Sequence, residues 1–275
     1  MLRRNLAAHV PGASFNPFAG PPFGPKRGGL VVERTPFGAP SGCLIDVPVQ
    51  CSNCEVRHLT LCAAVDNGEM QRLVEILKVI DVPAGGSITE EAEPADHVFN
   101  VTGGAVRLYK LLADGRRAVT GFLFPGDFLG LTGGEAYACS AEAMTPVRLC
   151  RFPRRKLEGL FSALPKLERR LLAIASNELA AAQDQMVLLG RKTAAEKLAS
   201  FLLQLSRRQE ARNQASEPVS LPMGRTDIAD YLGLTTETVS RTITQFKTTG
   251  LISLQPRGRV ALCDRQALED CAEGS

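Results

Sequence analysis

The sequence predicts an α+β chain, with an N-terminal antiparallel β-roll joined by a long helix to a C-terminal winged helix-turn-helix. Three observations carry that prediction. From residue 81 to about 152 the chain runs in short stretches of β-formers broken by glycines, as in "VFNVTGGAVRLYKLLADGRRAVTGFLFPGDFLG", the texture of an antiparallel roll or barrel. After Pro165 it is continuously helical to about Gly190. Finally, "RTDIADYLGLTTETVSRTITQFKTTGLISL" sets a helix, a tight turn, a second helix and a strand in close succession.

With 275 residues there is room for two modest domains plus extensions, and 44% hydrophobic with 22% charged residues is an ordinary globular balance. The net charge of +3 names no polyanionic partner by itself. The start, "MLRRNLAAHVPGASF", has a basic pair but no unbroken apolar run, because Pro11 and Gly12 interrupt it. It does not read as a signal peptide, and no later stretch reaches membrane-spanning length. The expectation is a cytoplasmic chain with no membrane partner. In that reducing compartment, clustered cysteines read as metal ligands rather than disulfides.

Taken in order, residues 1–42 are rich in Gly, Pro and Ala without periodicity and read as a disordered extension. Residues 43–66 form a cysteine-rich segment, "CLIDVPVQCSNCEVRHLTLC", spaced C-x7-C-x2-C-x7-C. Residues 67–80 repeat Met70, Leu73, Leu77 and Ile80 at helical spacing, predicting a short amphipathic helix that opens a sensor domain over 67–164. Within the roll, "LLADGRRA" signals a hairpin with Asp114-Gly115 at its turn.

The helix over 165–190 carries Leu172, Leu179 and Met186 at intervals of seven. Ala175, Ala182 and Leu189 form a second column three residues further on. An ordinary core helix also carries an apolar stripe. Small alanines in the second column suit close approach of a partner helix, which favours a homodimer seam through Leu172, Leu179, Ala182, Met186 and Leu189.

Residues 191–275 then form the terminal domain, beginning with a helix over 193–209. A further helix over 225–232 ends at Gly233, whose missing Cβ permits a sharp turn. Leu234 follows as an apolar pin, and Thr235 caps a second helix over 236–248. Val239, Ile243 and Phe246 share one side of that helix and pack towards Ile228 and Leu232. Glu237, Ser240, Arg241 and Thr244 lie roughly opposite, with Thr236 in the first turn. Such a face suits the major groove of double-stranded DNA: arginine donates twice to guanine O6/N7 and glutamate accepts from cytosine N4. "LISLQPRGRVAL" looks like a wing that brings Arg257 and Arg259 near the phosphate backbone.

Over about residues 43–270 this order resembles the CRP/FNR superfamily of bacterial transcription regulators, and more narrowly its oxygen-responsive fumarate–nitrate reduction branch. The stretches that carry the likeness are "GFLFPGDFLG", "VRLCRFP", "RKTAAEKLASFLLQLSRR" and the helix-turn-helix. The resemblance implies a cyclic-nucleotide-binding-like roll and a recognition motif E-x-x-S-R at Glu237, Ser240 and Arg241. It also implies a TTGAT-type half-site repeated as an inverted pair under a dimer, and RNA polymerase as a partner near the "LLADGRRA" loop. Cyclic-nucleotide binders of this superfamily place a glutamate and an Arg-Ser pair where this chain has Leu131 and Cys139-Ser140. No cyclic nucleotide is therefore expected.

The cysteines decide what is sensed. Thiolates bind zinc and iron–sulfur clusters alike, and C-x2-C occurs in both. "CSNCEVRHLTLC" is similar to a variant of the branch's cluster motif, and Cys150 falls where its distant fourth ligand lies. The likeness implies one [4Fe-4S] cluster per subunit on Cys51, Cys54, Cys62 and Cys150. Cys43 and Cys139 are additional thiols, and either is compatible with the fourth position. The expected protein is an oxygen-sensing activator at low oxygen, whose cluster controls dimerisation. The alternatives are a regulator of the same type with zinc or bare redox thiols, and more remotely an iron–sulfur enzyme or electron carrier. No dinucleotide loop or catalytic dyad supports an enzyme.

Overall fold

The computed structural model describes residues 49–274. The predicted extension over 1–42 and Cys43 lie outside the described residues.

The described chain opens with a four-residue helix, α1 (Val49–Ser52), a series of turns, and a 3-10 turn at Leu61–Ala64. Helix α2 (Asn67–Ile76) begins at a capping box, in which Asp66 and Glu69 satisfy each other's backbone amides. It is shorter than the spacing predicted. Residues 78–82, expected in part as helix, form strand β1 (Lys78–Val82), and Ile80 pairs with Leu149 instead of extending the helical stripe. The β-branched pair Val79-Ile80 gains more from a sheet partner than from another helical turn.

Seven further strands complete the roll: β2 (Ser87–Thr89), β3 (His97–Gly103), β4 (Val106–Leu111), β5 (Arg117–Leu123), β6 (Phe128–Leu129), β7 (Ser140–Ala143) and β8 (Val147–Pro153). They form two antiparallel sheets, ordered β1-β8-β3-β6 and β2-β7-β4-β5. The β4–β5 hairpin turns at Asp114-Gly115 as predicted, with Gly115 at φ 81°. Val101, Val106, Leu123, Leu149 and Tyr137 fill the space between the sheets.

Because side chains alternate along a strand, each sheet also has an outer face, and the two outer faces carry different loads. On β8 and β3, Phe152 and Val98 point outward into a second core built with Leu61, Met70 and Leu73 from the N-terminal segment. On β5, Val119 and Phe122 point outward into the core of the C-terminal domain. The cysteine segment and the C-terminal domain thus cover opposite sides of the roll.

After α3 (Arg154–Gly159), helix α4 (Pro165–Arg191) touches both sides. Leu167, Leu171 and Ile174 pack into the N-terminal core, and Leu188 enters the C-terminal core. Helix α5 (Ala194–Glu210) follows a capping box at Thr193 and Glu196. The terminal domain continues through β9 (Val219–Ser220), α6 (Arg225–Leu232), α7 (Thr236–Thr248), β10 (Ile252–Gln255), β11 (Arg259–Leu262) and α8 (Arg265–Glu273). The junction between roll and terminal domain is both apolar and ionic. Arg107 of β4 bridges Glu142 at 2.9 Å and Asp227 of α6 at 2.5 Å, while Arg117 reaches Asp227 at 2.6 Å and Asp230 at 3.1 Å. No helix among the described residues is long and apolar enough to cross a membrane.

Candidate thiol cavity and nucleic-acid interface

Strand parity builds the floor of the first site. In β8, Leu149 faces the roll interior, so Cys150 faces outward beside its ladder partners Val79 and Asn100. The N-terminal segment folds over this face and brings three more cysteines to it. Cys51, Cys54, Cys62 and Cys150 all line one cavity of about 540 Å³, together with Asn100, Thr60 and Arg57.

The cover is braced internally by Arg57, which donates to Val65 O and to Asn67 Oδ1, both at 3.0 Å. Thr60 Oγ1 accepts from the Cys62 amide, and Leu61 beside it is fully buried. Leu59 lies so close to Gly126, at φ +100°, that a Cβ there would stand 2.7 Å from its side chain. The glycine of "FPGDF" therefore allows the segment to seat.

Burial raises the Cys150 thiol to about 12, helped by repulsion from Cys62, Cys51 and Cys54. Burial likewise lifts Cys62 to about 11, against a hydrogen bond from Thr60. Cys51 is raised by burial and by Cys54. Three thiols raised in this way ionise together only when a cationic centre compensates them, so a metal taken up here would release protons.

Asn100 is 1% exposed; its Nδ2 lies 3.9 Å from Cys62 Sγ, and its Oδ1 has no protein partner. Among the described residues no three Cys, His, Asp or Glu side chains converge as they would on a single ion. Thiolates at the zinc–sulfur distance of ~2.3 Å stand within about 4 Å of one another. Lining one cavity, the four cysteines form a thiol donor set of the chemistry that zinc and iron–sulfur clusters both use.

Cys139 does not line this cavity. It lies on the other sheet's side of the roll, beside Thr120, Lys110 and Glu91. Cys263 is exposed on the terminal domain. In the sequence Asn100 is marked only as a lone amide in the apolar run "HVFNV".

The second site is the helix-turn-helix. Gly233 ends α6 in the left-handed region at φ 61°, and the Leu234 amide returns to Ala229 O. Thr235 caps α7 by accepting from the Thr238 amide at 3.2 Å. Val239, Ile243 and Phe246 are buried, whereas Glu237, Ser240, Arg241 and Thr244 are exposed and Thr236 is half-buried. Glu237 is held below the usual carboxylate range, chiefly by its own backbone amide near the helix start, then by Thr235 and Arg241. The face thus offers an ionised acceptor, a hydroxyl and a guanidinium. Arg257 and Arg259 are exposed at the β10–β11 turn.

On α4, Leu172, Leu179 and Met186 are 66%, 60% and 68% exposed within one chain, an unpartnered apolar column. Ala182 is exposed beside them. Leu189 is shared: it is part-exposed, and its Cδ2 also packs at the Gly233 turn.

Two family models match the chain: a cyclic nucleotide-binding domain over residues 79–163 and a Crp-like helix-turn-helix domain over 196–271. The chain is 40% identical over 222 residues to the nitrogen fixation regulation protein FixK of Bradyrhizobium diazoefficiens, covering 81% of this chain and 93% of that one. It is 36% identical over 231 residues to the transcriptional activator protein FnrL of Cereibacter sphaeroides, covering 82% and 93%. The solved structure of FixK2 from Bradyrhizobium japonicum superposes with a TM-score of 0.67 at 40% identity, covering 71% of this chain and 97% of that one. With its roll, connecting helix and DNA-reading domain matched over most of their length, this chain belongs to the CRP/FNR family of DNA-binding transcription regulators.

Proposed function

We propose that this regulator is a dimeric transcription activator of the oxygen-responsive type, with one [4Fe-4S] cluster per subunit held by Cys51, Cys54, Cys62 and Cys150. One observation carries the reading: a cysteine from the last strand of the roll shares a cavity with three from the N-terminal segment. When bound, such a cluster supplies an oxygen-labile link of four thiolates between segment and sheet. With the thiols free, the segment keeps its non-covalent hold, through Leu59 and Leu61 against the roll and through Arg170 of α4. The exposed Leu172, Leu179 and Met186 column is the proposed dimer seam, and its pairing presents two recognition helices to an inverted repeat.

Each recognition helix is proposed to read a TTGAT-type half-site through Glu237, Ser240 and Arg241. Arg241→Ala is expected to cost about 1–3 kcal/mol and to relax preference at one guanine, as read by gel shift across single-base variants. An equal loss on every sequence would assign Arg241 to phosphate. RNA polymerase is the proposed further partner, supported by the exposed Leu111 and Leu112 beside the hairpin turn. Cyclic nucleotide is not proposed as a ligand. Ser140 is occupied by Glu90 Oε2 at 3.2 Å and by the Glu91 amide, so a carboxylate stands where a phosphate would need cations.

Anaerobic purification with iron, acid-labile sulfide and zinc analysis tests the central claim. The expected content is roughly four iron and four sulfide per chain. Zinc without sulfide overturns it in favour of a zinc-stapled regulator.

A further inference from the structure

Between the second and third cysteines of the cavity, three successive carbonyls of the N-terminal segment turn towards α4. Arg170, in the second turn of that helix, meets all three. Its Nε donates to Thr60 O at 3.2 Å, and its Nη2 donates to Leu59 O and reaches His58 O at 3.5 Å. One turn earlier, Lys166 pairs with Glu69 and, at 3.6 Å, with Asp66. Leu167 between them is fully buried among Leu61, Met70 and Leu73.

This attachment differs in kind from the apolar packing beside it. Hydrophobic contacts tolerate small slides, whereas a planar guanidinium shared among three carbonyls holds only while those carbonyls keep their mutual geometry. His58–Thr60 is bounded in sequence by Cys54 and Cys62, so any displacement of those two sulfurs is delivered to the carbonyls. At ~100° per residue Leu172 lies nearly opposite Arg170 on α4, so a shift of the arginine's side reorients the exposed column.

We propose that Arg170 is the positioning residue that couples the state of the thiol cavity to the dimer-forming face of α4. The inference rests on the cluster reading above and adds to it the route by which segment and seam communicate.

The test uses the full-length chain, wild type and Arg170→Gln, prepared anaerobically and again after air exposure. Iron and sulfide content reports the cavity, sedimentation velocity the dimer, and urea unfolding the stability. Arg170→Gln is expected to retain iron and sulfide, while its anaerobic dimer dissociation constant rises roughly 10-fold or more. The ratio of dimer constants before and after air should fall towards one, a change that mere destabilisation would not produce. Arg170→Lys, which keeps the charge but not the fork, should fall between the two, and it decides the matter if the glutamine variant does not fold. A variant with wild-type cluster content and an unchanged ratio overturns this inference alone, as does one that loses the cluster outright. Wild-type protein without iron and sulfide overturns the cluster reading and this inference together.

Discussion

Cys150→Ser is expected to bring iron and sulfide to background and to weaken anaerobic DNA binding about 10²-fold or more, the range lost when two linked half-site contacts become one. Cys150 faces the cavity from the centre of a sheet, with Val79 on one side and Asn100 on the other. Serine fits the same volume and leaves the ladder intact, so the fold is expected to stand while the fourth thiolate is lost. Cys139→Ser is the matched comparison. Cys139 is half-buried in the roll but lines no part of the cavity, and its loss should leave iron, sulfide and DNA affinity near wild type. Iron and sulfide analysis beside gel-shift titration reads both variants. Retention of the cluster in Cys150→Ser, or its loss in Cys139→Ser, would exchange their roles and sink the four-ligand assignment made here.

The second large effect concerns the junction that seats the DNA-reading domain. Phe201 of α5 is 1% exposed and lies between Phe122 of the roll and Tyr231 of α6, with ring centroids 6.2 and 5.6 Å away. Phe122 and Tyr231 are themselves 5.2 Å apart, so the three rings close a triangle spanning both domains. Phe201→Ala is expected to cost about 3–5 kcal/mol, combining lost burial with the cavity left behind. Phe201→Leu keeps most of the volume and should cost under about 1.5 kcal/mol. Urea unfolding followed by circular dichroism measures both. A cost below ~1 kcal/mol for the alanine variant would mean that the flanking ion pairs of Arg107 and Arg117, not the rings, hold the junction.

The DNA-reading domain was legible because its signals are local. The turn glycine, the threonine cap and the 3.6-residue period all act within a few residues, and α6 and α7 begin and end where those signals place them. The hairpin at Asp114-Gly115 was legible for the same reason. The stretch after α2 was not. There Ile80 satisfies a helical period, but pairing with Leu149, far along the chain, makes the strand.

By itself, then, the sequence determined the order of elements, the exposed polar face of α7 and the parity that sets Cys150 opposite Leu149. It did not determine which face of the sheet the N-terminal segment covers, that Cys150 rather than Cys139 lines the cavity, or that Asn100 and Arg170 address the segment holding the other cysteines. Those facts depend on strand register and on packing between residues remote in the chain. A helix cap or a turn is specified by the few residues that build it. A shared cavity is specified only when the whole roll has closed and each side chain has been assigned its face.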